Sequence, residues 1–293
     1  MDVTDSHATL AQQALQRRDT QAALLHARAS LAAGEANAHR LLATVLPYTG
    51  GVDEALTHAR HAVAEEDANA MDFARLASLL FATGATSDSI GHFRCAIERE
   101  PKSAVFWNEL GVALSGVDVD ESEQALRRAV GLAPKIAEIH NNLGNVLKKK
   151  GAPDEALECY QTALNLNPEY WDALGNMAVV QQSTGQPDAA IACFIKLLEV
   201  QPEHARYWTH YGAALAMKGQ LGAAETAHRK ALSINPELAD AHNNLAIVLK
   251  DQGRLTEARD VYNKVIELAP EDAGAHSNLL MCFCYYGDVD ALE

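Results

Sequence analysis

Prolines stand at positions 134, 168, 202, 236 and 270, each 34 residues after the last, and Pro101 precedes Pro134 by 33. A fixed period of this length marks stacked supersecondary units, each unable to bury its apolar face alone, and argues against independent domains. Other columns come into register once the chain is aligned on these prolines. Glycines fall at Gly84, Gly151, Gly185, Gly219, Gly253 and Gly287. One small column holds Ala77, Gly111, Gly144, Ala178, Gly212 and Ala246. A second holds Ala55, Ser89, Ser122, Ala156, Ala190, Ala224 and Ala258. A large column holds Phe93, Leu126, Tyr160, Phe194 and Tyr262, broken by His228.

Each unit reads as two helices. In the fifth, residues 137–150 form the first helix, which Gly151 stops because glycine tolerates the left-handed C-terminal conformation. Pro153 opens the second helix, where a missing N–H costs nothing, and Pro168 prevents its continuation. The small columns let the two backbones approach, and the large column fills the space between them. A chain that is 48% hydrophobic but only 6% aromatic suits many small helix contacts better than a few large ones. The fourth unit is one residue short, in the turn near Gly116.

The phrase WNELG at Trp107–Gly111, with these alanine, large-residue and proline columns, resembles the tetratricopeptide repeat. The match is tightest over residues 104–272, good over 70–103, and decays toward the N-terminus, where HARAS at 26–30 echoes HARHA at 58–62. The resemblance implies an all-α, right-handed superhelical solenoid of antiparallel helix pairs, with about eight repeats and a partial ninth. The expected organisation is a single solenoid over 1–293: irregular repeats over 1–69, regular ones over 70–272, and a partial repeat or junction over 273–293. It also implies a protein–protein interaction module. First helices line a concave groove that binds extended peptide or protein segments, and second helices face outward.

Two constellations mark candidate peptide-binding residues in that groove. Asn142, Asn176, Asn244 and Asn278 share one column, with His210 and Glu109 in the same place in other units; Asn108, Asn141 and Asn243 share the column before it. An amide side chain offers an acceptor and two donors, matching a peptide backbone, so a ladder of amides can clamp an extended chain without reading its side chains. A comparable asparagine ladder is known in the repeats of O-linked N-acetylglucosamine transferases. The alternative is that these asparagines are repeat consensus and serve helix–helix contacts. The second constellation is Asn145, Asn176, Arg206 and His210, which fit four of the five columns of the clamp that some tetratricopeptide domains place on a free carboxylate. The lysine column of that clamp holds Asn141 here. Charge-assisted bonds to a carboxylate are strong ones.

Other classes find little support. A net charge of −15 repels nucleic-acid phosphates and anionic lipid, so neither is an expected partner. No apolar stretch is long enough to span a bilayer, and the acidic N-terminus is unlike a secretory signal. Five cysteines without paired zinc motifs suggest reduced thiols in a cytoplasmic setting. His140, His242 and His276 share a packing column with Phe73, Trp107, Leu174 and Trp208, a full repeat or more apart, which is poor geometry for a metal. No phosphate loop, HExxH or Ser/His/Asp set is present, so no cofactor, metal or catalytic residue is assigned and the chain is not expected to be an enzyme. LysLysLys at 148–150 reads as cations favoured at a helix C-terminus.

The ninth unit begins at Ala273 and reaches GDVDALE where a second helix is expected. Residues 275–293 resemble the junction between repeats and catalytic domain in bacterial relatives of O-linked N-acetylglucosamine transferase. That resemblance implies the substrate-selecting region of a larger glycosyltransferase. A rival expectation is a self-assembling scaffold that docks through an uncapped C-terminal face.

Overall fold

The computed structural model describes residues 6–271 and 273–285. The chain forms two compact units, Met1–Lys150 and Gly151–Glu293. The first contains α1 (His7–Gln16), α2 (Thr20–Ala32), α3 (Ala38–Val45, extended by a 3-10 turn over Leu46–Thr49), α4 (Val52–Ala64), α5 (Ala70–Ala82), α6 (Thr86–Arg99), α7 (Ala104–Leu114), α8 (Val119–Leu132) and α9 (Ala137–Lys150). The second contains α10 (Pro153–Leu166), α11 (Trp171–Ser183), α12 (Pro187–Val200), α13 (Ala205–Met217), α14 (Leu221–Ile234), α15 (Ala239–Asp251), α16 (Leu255–Leu268) and α17 (Ala273–Tyr285). Within each unit every helix packs on the next, and first helices of neighbouring repeats also touch: α5 on α7 and α7 on α9 in one unit, α11 on α13 and α13 on α15 in the other. The fold is all-α, as expected. Of the residues likened to a catalytic-domain junction, those beyond Tyr285 lie outside the described residues, as does Gly287.

The glycine column does what its spacing implies. Gly84, Gly151, Gly185, Gly219 and Gly253 all have φ between 72° and 84°, the left-handed region that ends a helix cheaply only at glycine. The short fourth turn closes differently. Gly116 is not left-handed there; the Val117 and Asp118 N–H groups both donate to the Leu114 carbonyl, and the Asp118 carboxylate caps α8 by accepting from the Glu121 N–H at 2.9 Å. In this shorter turn an aspartate cap stands in place of the left-handed glycine.

Inside the hairpins the small and large columns meet. Phe93, Leu126, Phe194, His228 and Tyr262 are all at most 1% exposed. At α7–α8 the approach is so close that a Cβ on Gly111 would lie 2.5 Å from Leu126 Cγ. The Ser122 hydroxyl, beside it, donates to the Gly111 carbonyl at 2.6 Å. His228 breaks the apolar column without finding a partner: neither ring nitrogen has a hydrogen bond, and the ring lies against Gly212. Burial pushes its pKa down to about 4, so the imidazole is neutral in the folded chain.

A second recurring bond sits at the repeat junctions. The Trp107 indole N–H donates to the Pro101 carbonyl at 2.9 Å, and Trp208 does the same to Pro202 at 2.7 Å. His140, His242 and His276 place Nε2 within 2.8–2.9 Å of the Pro134, Pro236 and Pro270 carbonyls. A carbonyl only accepts, so Nε2 carries the proton in each. These histidines therefore replace tryptophan as ring donors. In the irregular N-terminal region the proline position is Asp67 and the ring position is Phe73, which lies under the Arg99 guanidinium 3.8 Å from its centroid. There Arg40 supplies the donor: its guanidinium reaches the Asp67 carbonyl at 3.2 Å, the Asp67 carboxylate at 2.7 Å and the buried Asp72 carboxylate at 2.9 Å. Asp72 in turn closes a capping box with Asn69 at the start of α5.

Two outcomes follow from the hairpin packing. Gly111→Ala gains helix propensity but forces Leu126 aside, for a net loss of about 1 kcal/mol in chemical denaturation. His228→Phe restores the apolar column and is expected to raise stability by about 1 kcal/mol at pH 7. It also removes an acid dependence. With a folded-state pKa below the ordinary value, the unfolded chain takes up the proton first, so the wild type has its full stability above about pH 6.5 and loses up to about 3 kcal/mol as pH falls toward 4. Thermal melts of both proteins between pH 7 and 4.5 measure the difference.

Candidate functional site

The candidate residues lie on first helices, and each unit arranges its own set. In the first unit Asn142, on α9, donates its amide N–H to the Asn108 side-chain oxygen on α7 at 3.0 Å. The two residues are one repeat apart, so side-chain amides do stack from helix to helix here. Asn108 and Asn141 are 4% and 5% exposed, whereas Asn142 and Asn145 are half-buried. The earlier of the two asparagine columns is thus covered in this unit and supports the later one. Glu109, beside Asn108, has its carboxyl pKa raised by burial and by the nearby Glu138 carboxylate.

The second unit gathers its candidates more tightly. Arg206, Thr209 and His210 of α13, with Leu238, and Asp240, Asn243 and Asn244 of α15, line one open cavity of about 330 Å³. Repeat geometry explains the grouping. Arg206 and Asp240 occupy the same column one period apart, as do Thr209 and Asn243, and His210 and Asn244. Among the described residues Arg206 forms no ion pair, so its guanidinium is available to a ligand. The Asn243 amide oxygen is buried and has no hydrogen-bond donor. His210 stacks nearly parallel to Phe194 of α12, with ring centroids 5.8 Å apart. Burial outweighs the pull of Asp240 and holds its pKa below the ordinary histidine value, so it enters the site as a neutral ring. Asn176 of α11 and Asn278 of α17 are half-buried and do not line this cavity. The sequence does not single out Thr209 or Leu238; Thr209 shares a column with Asn243, and Leu238 enters only through the cavity lining.

Two of the three lysines at the end of α9 are held by the preceding hairpin. Lys149 donates to the Ser115 carbonyl at 3.2 Å, and Lys150 pairs with Asp120 and Glu123 of α8, each at 2.7 Å. Lys148 is half-buried, and burial lowers its pKa. Among the described residues no group of three His, Cys, Asp or Glu side chains is disposed to hold a metal ion, and no helix is long and apolar enough to cross a membrane. Cys95 and Cys159 are half-buried thiols and Cys193 a buried one.

Known proteins place this architecture. Tetratricopeptide-repeat models match residues 137–170, 215–280, 159–192, and the two stretches 74–137 and 176–239, which together run without a gap from 74 to 280. No curated protein is significantly similar in sequence. Among solved structures, the chain is similar to the Cut9–Hcn1 hetero-tetramer of the APC/C, at a TM-score of 0.69 and 16% identity over 90% of this chain and 52% of that one. It thus spans about half the length of that relative. It is also similar to the type IV pilus biogenesis factor PilW, at a TM-score of 0.65 and 21% identity over 73% of this chain and 98% of that one. YrrB, a tetratricopeptide protein with an unusual peptide-binding site, aligns at a TM-score of 0.53 and 22% identity over 63% of this chain and 96% of its own. At these identities the likeness is one of fold. Repeat-model matches, helix pairing and junction geometry agree: the chain belongs to the tetratricopeptide-repeat family of protein–protein interaction modules.

Proposed function

We propose that this chain binds an extended peptide or protein segment across its first helices, anchored in the second unit at the α13–α15 cavity. The observation that carries this reading is the Asn243 amide oxygen, buried and without a donor in the same cavity as the unpaired Arg206. A buried acceptor without a partner is costly, and a backbone N–H entering the cavity would satisfy it. Arg206 and Asn244 supply donors for the adjoining carbonyl or for a terminal carboxylate. Asp240 favours a cationic or N–H group beside it. The peptide-binding site of YrrB, in a similar fold, supports the same kind of use. A narrower reading, the substrate-selecting region of a larger glycosyltransferase, rests only on the resemblance of residues 275–293. Self-association through α17 is favoured by one observation, the 64% exposure of Leu280, and sedimentation across a concentration range separates it from a purely heterologous interaction.

Peptides selected from a random display library on the full chain provide the test. Arg206→Ala and Asn244→Ala are each expected to weaken them at least tenfold in fluorescence anisotropy, equivalent to about 1.4 kcal/mol. Amidating the peptide C-terminus separates the two modes: unchanged affinity means backbone capture, and a loss assigns Arg206 to a carboxylate. Selected peptides that ignore both substitutions would sink the reading. In the first unit Asn142→Ala deprives the buried Asn108 oxygen of its donor, and is expected to cost about 1 kcal/mol of stability in thermal denaturation, a cost that Asn244→Ala does not share.

A further inference from the structure

The carbonyls at the repeat junctions have a donor at Asp67, Pro101, Pro134, Pro202, Pro236 and Pro270, from an arginine, a tryptophan or a histidine. Pro168 is different. The equivalent first-helix residue is Leu174, which has no side-chain donor, and the carbonyl of Pro168, an exposed residue, receives no hydrogen bond from the described residues. The place is also hollow. A cavity of about 410 Å³ opens there, lined by Pro168, Trp171 and Leu174, by Leu164 of α10, and by Cys193 and Val200 of α12. Trp171 takes a position that is alanine in Ala137, Ala205, Ala239 and Ala273, so this repeat adds an aromatic wall where the others have a methyl group. The volume falls within the range of roughly 300–1,000 Å³ usual for ligand pockets. Leu174 and Asn176 are two residues apart on α11, about 200° around the helix, so the hollow faces away from the candidate peptide-binding side.

We propose that this cavity receives a tryptophan side chain from a protein partner, with the indole N–H donating to the Pro168 carbonyl. The chain supplies its own template: Trp107 and Trp208 make that bond at two other junctions. The lining is mostly apolar, with Gln161, Lys196 and Glu199 also contributing to it, and the Pro168 carbonyl is the acceptor that the template bonds at the other junctions; an indole suits this place, because it buries a large ring and carries a single donor. A phenyl ring would fill the space and leave the carbonyl unpaired. This site is independent of the α13–α15 cavity, so either can fail without the other.

N-acetyltryptophanamide is the probe, titrated into the ¹⁵N-labelled full chain and followed by NMR. Saturable shifts are expected at the Trp171, Leu174, Cys193 and Val200 amides. The 1-methylindole analogue, which lacks the donor, is expected to bind at least fivefold more weakly, as is N-acetylphenylalaninamide. Leu174→Trp places the missing ring in the hollow, so it should raise the melting temperature and abolish the shifts. Leu174→His serves the same end with a smaller ring. The proposal is overturned if the probe does not bind, if its shifts centre on α13 and α15, if the methylated probe binds equally well, or if binding survives in both variants. It is likewise overturned if the free chain dimerises and Leu174→Trp abolishes dimerisation, which would make a second copy the occupant.

Discussion

A repeat chain must leave each helical hairpin and enter the next without stranding its backbone polar groups. Proline at the junction stops the outgoing helix but leaves a carbonyl outside any helical ladder. Here that carbonyl is bonded by a ring N–H from a residue six positions later, on the incoming helix, as with Trp107 on Pro101 and His242 on Pro236. The bond ties the first turn of each new helix to the end of the old one. The ring that makes it also covers apolar surface at the seam. Where the proline and the ring N–H are both lost, at Asp67 and Phe73, Arg40 reaches across from α3 and binds the same carbonyl. Different residues thus satisfy one geometric requirement.

The hairpins obey a complementary constraint. Two backbones come close at the small column, and the large residue opposite decides how small that column must be. Leu126 demands glycine at 111, and the His228 ring sits where any Cβ on Gly212 would be crowded. Substitution in one column therefore cannot be judged without the other. Asn142 shows the same coupling on the polar side, because a half-buried amide on one helix also holds the buried Asn108 of another in place.

Much of this was legible in the sequence, for reasons tied to particular residues. The proline step set the repeat, the left-handed glycines set the hairpin loops, and the small and large columns named the core. The period also put His210 in one column with Asn244 and Asn243 in the column before it, whereas Arg206 was read with Asn145 and Asn176, which do not line the α13–α15 cavity. What periodicity could not supply was the covering of each column by its neighbours. Asn108 and Asn141 share a column with Asn243, yet the first two are buried by packing and the third opens onto a cavity. Nor does a column reveal a bonding partner. His140 and Trp107 look like packing residues, and their shared donor role emerges only when the proline carbonyl is seen beside them. His228 reads as a mild exception to an apolar column; only its lack of any hydrogen bond shows the cost.

Where a ring makes it, the junction bond spans six residues and is closed locally, between the end of one helix and the first turns of the next; only at Asp67 does the donor, Arg40, come from farther off. The loss of the ring donor at one seam, as with Leu174 opposite Pro168, leaves the bonds at Pro134 and Pro202 as they are. In an array of this kind, novelty can be confined to one address: a repeat can exchange its internal bond for an external one while its neighbours keep register.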